Sequence, residues 1–239
     1  MHRLMVDTAL LADDRPALPG PQARHLKVIR PQAGERVELF DGCGAYRIYA
    51  YDGALTAVSG IAHDPRPGGG LTLFACVTKS SRWDWTLEKA TELGVTRIVP
   101  VISGRTIVRI AKNEREAKRE RWLRIVESAV VQSGSRWMPE VLPATDFSDA
   151  LKLAAETVCF VGALTDPPSP GILSAMAERG LVGGGGSVNV SAFIGPEGDF
   201  TPEELSRLIE VAVPVSFGPK VLRAETAAIF AVSVLSCAT

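Results

Sequence analysis

Val188-Asn-Val-Ser-Ala-Phe-Ile-Gly-Pro-Glu-Gly-Asp-Phe-Thr-Pro-Glu-Glu204 is the stretch that decides the fold. Residues 188–194 are a mostly apolar run of strand length, as in a strand buried on both faces. Gly195-Pro-Glu-Gly198 then turns the chain and leaves backbone N–H and C=O groups open to a ligand, because little side-chain bulk stands in the way. Thr201-Pro-Glu-Glu204 starts a helix: Thr201 as N-cap, Pro202 at the first helical position and Glu204 three residues on, completing a capping box. Strand, tight turn and capped helix in succession are half of a βαβ unit.

The same alternation runs outward in both directions. Strands are predicted at Leu71–Val77, Arg97–Ile102, Thr157–Val161 and Val213–Phe217, and helices at Arg82–Leu93, 113–132, Ile172–Glu178, Pro202–Val211 and Glu225–Leu235. Trp85, Leu87, Ala90 and Leu93 form the apolar spacing of the first helix, which Gly94 ends. Gly183–Gly186 reads as a loop. The order gives an α/β domain with a mostly parallel sheet. Before residue 62 the pattern differs. Apart from a short helical stretch at Ala23–Ile29, Arg36–Phe40, Tyr46–Ala50 and Ala54–Ile61 are strands separated by Asp41-Gly-Cys-Gly44 and Asp52-Gly53, which predicts a small antiparallel barrel. His63-Asp-Pro-Arg-Pro-Gly-Gly-Gly70 separates the two, with domains expected at 1–68 and 69–239.

The chain has 239 residues, 46% hydrophobic and 22% charged, which excludes a disordered protein. No apolar stretch reaches the roughly 18 residues of a membrane span. An acidic pair, Asp13-Asp14, stands where a secretion signal would need its cleavage site, so a cytoplasmic protein is expected. Cys43, Cys76, Cys159 and Cys237 are far apart, so neither a disulfide framework nor a metal site is expected, and the last three read as small core residues. The net charge of −1 conceals a block at 71–139 with 13 basic and 7 acidic residues. It is compatible with a polyanion bound at one place, but on charge alone a solvated helix laced by Glu114–Lys118 and Glu120–Arg124 pairs is the favoured reading.

In a parallel sheet, ligands bind beyond the carboxyl ends of the strands. Three such ends stand out: Val161-Gly-Ala-Leu-Thr165, Ile194–Phe200 and Phe217-Gly-Pro-Lys-Val-Leu-Arg-Ala-Glu-Thr-Ala227. Two Gly-Pro turns on neighbouring strands would form one concave wall for a flat ligand held by main-chain hydrogen bonds. Simple capping by Thr226 or Glu225, an Arg223–Glu225 pair and a solvated Glu197 are the plainer readings. There is no phosphate-binding GxxxxGK[ST] and no GxSxG or HExxH. Gly42-Cys-Gly44 is rejected as a dinucleotide fingerprint, since Arg47 replaces the third glycine and a strand follows.

At these motifs the chain resembles the RsmE family of SPOUT-class methyltransferases. Gly195–Glu204 and Phe217–Ala228 carry the resemblance. Lys79, Glu88–Val95, Arg105, Gln132–Pro139, Arg3, Arg24–Arg30 and Gly34–Gly42 extend it over essentially the whole chain. It implies a PUA-like β-barrel that holds RNA, followed by a parallel-sheet domain with a deep trefoil knot, one of the few exceptions to unknotted topology. It also implies a homodimer that uses S-adenosylmethionine to methylate N3 of a uridine in 16S ribosomal RNA of the small subunit. The cofactor would lie against Val161, Gly162, Ala163, Leu164, Ile194, Gly195, Pro196, Gly198, Phe217, Gly218, Val221, Leu222, Thr226 and Ala227. Arg223 would stabilise charge on the uracil, and Glu197 would orient the base or accept its proton. Arg3, Arg24, Arg30, Lys79, Arg105, Gln132 and Arg136 would contact RNA. The chain departs from the family in having Ser135 where an arginine is usual, with Arg136 one position late. It also has Asp199 where a second glycine is common, which a helical backbone there would accommodate. Action on another RNA base or ribose, or a non-catalytic RNA-binding role in ribosome assembly, are the alternative readings.

Overall fold

The computed structural model describes residues 1–66, 68–163, 165, 167–182 and 188–238. They form two compact units, Met1–Arg66 with Glu127–Met138, and Pro67–Val126 with Pro139–Thr239. The sequence reading drew one boundary at 68/69 and left 127–138 in the second domain. That segment belongs instead with the first unit, for reasons given below.

The first unit comprises β1 (His2–Met5), α1 (Gly20–Ile29), β2 (Arg36–Phe40), β3 (Ala45–Tyr51), β4 (Leu55–Ala57) and β5 (Ala62–His63), with a 3-10 turn at Thr8–Ala12. The strands form one sheet in the order β1-β2-β3-β4, with β5 also on β3. The predicted purely antiparallel arrangement is corrected: β1 runs parallel to β2, while the other pairs are antiparallel. A parallel partner needs a crossover, and the 3-10 turn and α1 supply it. Leu4, Leu11, Val37, Leu39, Tyr49 and Leu55 form its core. Gly44 has φ +93°, and a Cβ there would meet the Trp137 ring at 2.6 Å, so the second glycine of the Asp41–Gly44 turn is a packing requirement.

In the second unit follow β6 (Leu71–Cys76), α2 (Ser80–Glu92), β7 (Arg97–Ile102), α3 (Arg115–Ser133, which ends in the first unit), β8 (Glu140–Val141), β9 (Thr145–Asp146), α4 (Phe147–Ala154), β10 (Val158–Gly162), α5 (Ile172–Ala177), β11 (Val190–Ile194), α6 (Pro202–Ile209), β12 (Ala212–Val215) and α7 (Ala224–Leu235). The sheet order is β12-β10-β11-β6-β7-β8, with β9 also on β7. Every pair is parallel. β6 and β11 are buried at every residue, as their unbroken apolar runs require. Phe74, Phe147, Phe193 and Phe200 pack together in the core. The capping box at Thr201 is formed: Glu204 N donates to Thr201 Oγ1 at 3.2 Å, and Thr201 N donates to Glu204 Oε2 at 3.0 Å.

Several expectations are corrected. β11 and β12 are not neighbours; β10 lies between them. β1, β8, β9 and α4 were not foreseen, the strands being two to four residues long. On α2 it is Trp83 that is buried, against Trp122, while Trp85 is 41% exposed. Cys237 is exposed rather than in the core. The basic helix is not laced by the expected i,i+4 pairs. Arg115 instead pairs with Asp146, Arg119 with Glu116 and Arg121 with Asp84. The Gly183–Gly186 loop lies outside the described residues.

Candidate functional site

Parallel pairing puts the carboxyl ends of β10, β11 and β12 along one edge of the sheet. A cavity of about 390 Å³ opens there, lined by Gly162, Ala163, Ile194–Glu197, Asp199, Val215–Gly218, Lys220–Ala224 and Ala227. All three of the strand ends singled out in the sequence contribute to it. Of the residues expected around a cofactor, Gly162, Ala163, Ile194, Gly195, Pro196, Phe217, Gly218, Val221, Leu222 and Ala227 line it, as do Glu197 and Arg223. Val161 is fully buried inside the sheet, Gly198 and Thr226 lie off the lining, and Leu164 lies outside the described residues.

Local chemistry explains the cavity's shape. A Cβ at Gly162 would lie 2.3 Å from the Phe217 ring, so the β10 end can pass beneath that ring only as glycine. Phe217 in turn packs on Phe230 of α7, ring centroids 5.6 Å apart. In the β11 loop, Asp199 N donates to Pro196 O at 2.9 Å, closing a tight turn. Asp199 has φ +61°, a left-handed conformation rather than a right-handed helical one, so it stands where the glycine common in the family would be free of strain. Aspartate tolerates it, and its Oδ1 accepts from Phe200 N at 2.8 Å.

The loop is anchored from outside. Arg105 Nη1 donates to the carbonyls of Gly198 at 3.0 Å and Phe200 at 3.2 Å, and Gly104 N donates to Glu204 Oε1 at 2.7 Å. Arg82 of α2 is 3.3 Å from Glu197 and 3.5 Å from Glu225. The sequence reading missed Arg82, because both its partners are far along the chain and no local pattern marks it. It also missed Val215 and Ser216 on the lining, while Asp199, Lys220 and Ala224 lie within the strand-end stretches it singled out but were not named as cofactor contacts. Arg223 occupies the N-cap of α7 without capping it, and its exposed guanidinium has no hydrogen bond or ion pair among the described residues. The expected Arg223–Glu225 pair is replaced by Arg82–Glu225. The rim thus carries two carboxylates, Glu197 and Asp199, and two cations, Lys220 and Arg223.

Of the residues expected to contact RNA, Arg105 is taken up by the β11 loop, and the other six divide into two groups. Arg24, Arg30 and Lys79 are exposed and have no ion pair among the described residues; Gln132 is also exposed. Arg3 and Arg136 converge on Glu38, which is fully buried on β2. Arg3 Nε donates to Glu38 Oε1 at 2.8 Å, and its Nη atoms donate to the carbonyls of Val130, Val131 and Ser135, closing the end of α3. Arg136 donates to Glu38 and Asp64 and stacks on Tyr46, 3.5 Å from the ring centroid. Burial would raise the Glu38 carboxyl, but hydrogen bonds from Arg136 and Arg3 outweigh it and hold the group below its ordinary value. Glu38 pushes the Arg136 guanidinium up in turn. This cluster is why residues 127–138 belong to the first unit.

The RNA methyltransferase domain family matches residues 65–236. A protein of Synechocystis named ribosomal RNA small subunit methyltransferase E is 30% identical over 237 residues, covering 95% of this chain and 74% of that protein. The Bacillus subtilis protein of the same name is 32% identical over 162 residues, 67% of this chain and 63% of the relative's length. Among solved structures, ribosomal RNA small subunit methyltransferase E of Neisseria gonorrhoeae, bound to S-adenosyl methionine, superposes with a TM-score of 0.81 at 29% identity, covering 98% of this chain and 96% of that one. A methyltransferase of Legionella pneumophila in complex with the same cofactor gives 0.81 at 26% identity, over 99% and 97% of the two chains.

Proposed function

The chain belongs to the RNA methyltransferase domain family, and from that membership we propose that it methylates N3 of a uridine in 16S ribosomal RNA of the small subunit, using S-adenosylmethionine. The observation that carries this reading is the cavity at three parallel strand ends with Arg223 unpaired on its rim.

The cavity suits the cofactor. Its volume falls within the roughly 300–1,000 Å³ of small-molecule sites. Backbone of Gly162–Ala163, Ile194–Pro196 and Phe217–Gly218 offers hydrogen bonds, Val221, Leu222 and Ala227 offer apolar contact, and charges of both signs on the rim match a zwitterion that also carries a sulfonium. S-adenosylmethionine, when bound, supplies an electrophilic methyl group. The protein's part is to hold the uracil in line and to stabilise the charge that appears on O2 and O4 as the N3 proton leaves. Arg223 takes the second task in this reading, supported by its lack of an ion pair at the rim. Glu197, 3.3 Å from Arg82, orients the base or accepts its proton.

Three finer features belong to the same reading. The second unit is a knotted SPOUT fold: β11 inserts between β10 and β6, and α7 returns from β12 at the sheet edge to pack on β11, β6 and α2. The first unit is a PUA-like barrel that holds RNA. The protein works as a cytoplasmic homodimer, for which Phe230 on α7, 37% exposed, offers apolar contact.

The test uses labelled S-adenosylmethionine and small ribosomal subunits lacking the modification, with the label mapped to a nucleoside. Label at N3 of one uridine is expected. Label on another base or on a ribose assigns a different target, and cofactor binding without transfer to any RNA sinks the catalytic reading.

A further inference from the structure

A second cavity, of about 380 Å³, lies beside the first and is lined by Ser81, Arg82, Trp85, Arg223, Glu225 and Thr226. Arg223 lines both. We propose that this second cavity is the subsite for the unpaired target nucleoside, with the base stacked on Trp85 and the reacting edge beside Arg223. The proposal rests on the methyltransferase reading and deepens it.

Three observations carry it. First, Trp85 is 41% exposed although its helix neighbour Trp83 is buried to 2%. The indole is therefore only partly covered by the fold, and a large exposed ring in a cleft is the feature on which bases stack. Second, the cleft offers both donors and acceptors. Arg82 is held between Glu225 of the cleft and Glu197 of the first cavity, which leaves Arg223 as the cleft cation without an ion pair among the described residues. One free guanidinium beside a carboxylate suits the mixed donors and acceptors of an uncharged polar ring. The Oε2 of Glu225 is buried and has no hydrogen-bond partner among the described residues, an acceptor available to a base N–H. Third, Arg223 is the one residue common to both linings, so the two cavities adjoin there and a base in the second can be brought against a methyl group in the first, with the guanidinium beside the reacting atoms. An in-line transfer requires that direct contact.

The test compares Trp85→Leu, which keeps apolar volume but removes the ring face, with Trp85→Phe, which keeps a ring. Steady-state methyl transfer to unmodified small subunits gives KM for RNA and kcat, calorimetry gives the Kd for S-adenosylmethionine, and sedimentation gives the oligomeric state. Expected for the leucine variant is a rise in the RNA KM of about tenfold, with the cofactor Kd unchanged, and substantial recovery in the phenylalanine variant. An unchanged RNA KM overturns the proposal. A matching loss in cofactor affinity assigns Trp85 to the first cavity, and a changed oligomeric state assigns it to contact between copies; either result also overturns it. If the unaltered protein transfers no methyl group to any RNA, the underlying reading fails first and the subsite with it.

Discussion

Arg223 and Glu38 show opposite uses of charge. Arg223 is exposed and unpaired at a cavity rim, so removing it leaves no orphaned partner. Arg223→Ala is expected to lower kcat by about 10²–10³, the loss found when one donor to a developing anion is removed, and to leave the Kd for S-adenosylmethionine nearly unchanged. Equal losses in both would remove its catalytic role. Glu38 is fully buried between Arg3 and Arg136. Glu38→Ala removes the carboxylate shared by two partly buried guanidinium groups, which keep their contacts to the α3 carbonyls and to Asp64, and is expected to cost about 3 kcal/mol, the lower end for breaking a buried ion pair, measured by denaturant unfolding. The pH dependence follows from the direction of its shift. The Glu38 carboxyl is held below its ordinary value of 4.5. Its contribution is therefore complete above that value and is lost as pH falls through the lower, folded one. Glu38→Gln is expected to flatten the acid limb of the stability profile.

At the scale of elements, the site depends on where strands end and on what lies over them. The β10 end passes beneath Phe217 because residue 162 is glycine. Gly162→Ala forces a methyl group into that ring, an overpacking of about 1–3 kcal/mol. It is expected to lower the Tm and to weaken cofactor binding together, since Phe217 lines the cavity; a variant with wild-type values for both would show that the ring moves freely. The turns and caps of these elements were legible in advance. The Thr201 box, the Gly94 stop and the Gly-Pro loops are set by residues within a few positions of one another. α2 was read with the wrong tryptophan inward. The helical period in fact favours Trp83, which stands at i, i+4 and i+7 with Leu87 and Ala90, whereas Trp85 is two residues from Leu87 and beside Glu88 and Lys89; Trp83 packs on Trp122 of α3. α4 went unseen because its eight residues follow two strands of two residues each, too short to mark a boundary.

For the whole molecule, the prediction concerns RNA affinity and salt. Arg24, Arg30 and Lys79 are exposed and have no ion pair among the described residues. If each meets a phosphate, replacing all three with glutamine should reduce the slope of log K against log salt by about 2–3. An unchanged slope returns them to the role of solvating the surface. Arg3, Arg105 and Arg136 matched the same family pattern, yet their guanidinium groups hold carbonyls and carboxylates within the protein. Residue type marked all six as basic; only the fold says which are already engaged.

The sequence alone determined the alternation of strands and helices from residue 71 onward, the capped helix after Gly195–Gly198, the two Gly-Pro loops and the resemblance they carry. Each depends on neighbours a few residues apart, where backbone geometry and side-chain period act directly. The tertiary structure decided the order β12-β10-β11-β6-β7-β8, the parallel course of β1, the attachment of residues 127–138 to the first unit through Glu38, and the pairing of Arg82 with Glu197 and Glu225. These contacts join segments distant along the chain. Their energies depend on which surfaces meet after collapse, and no local pattern encodes that choice.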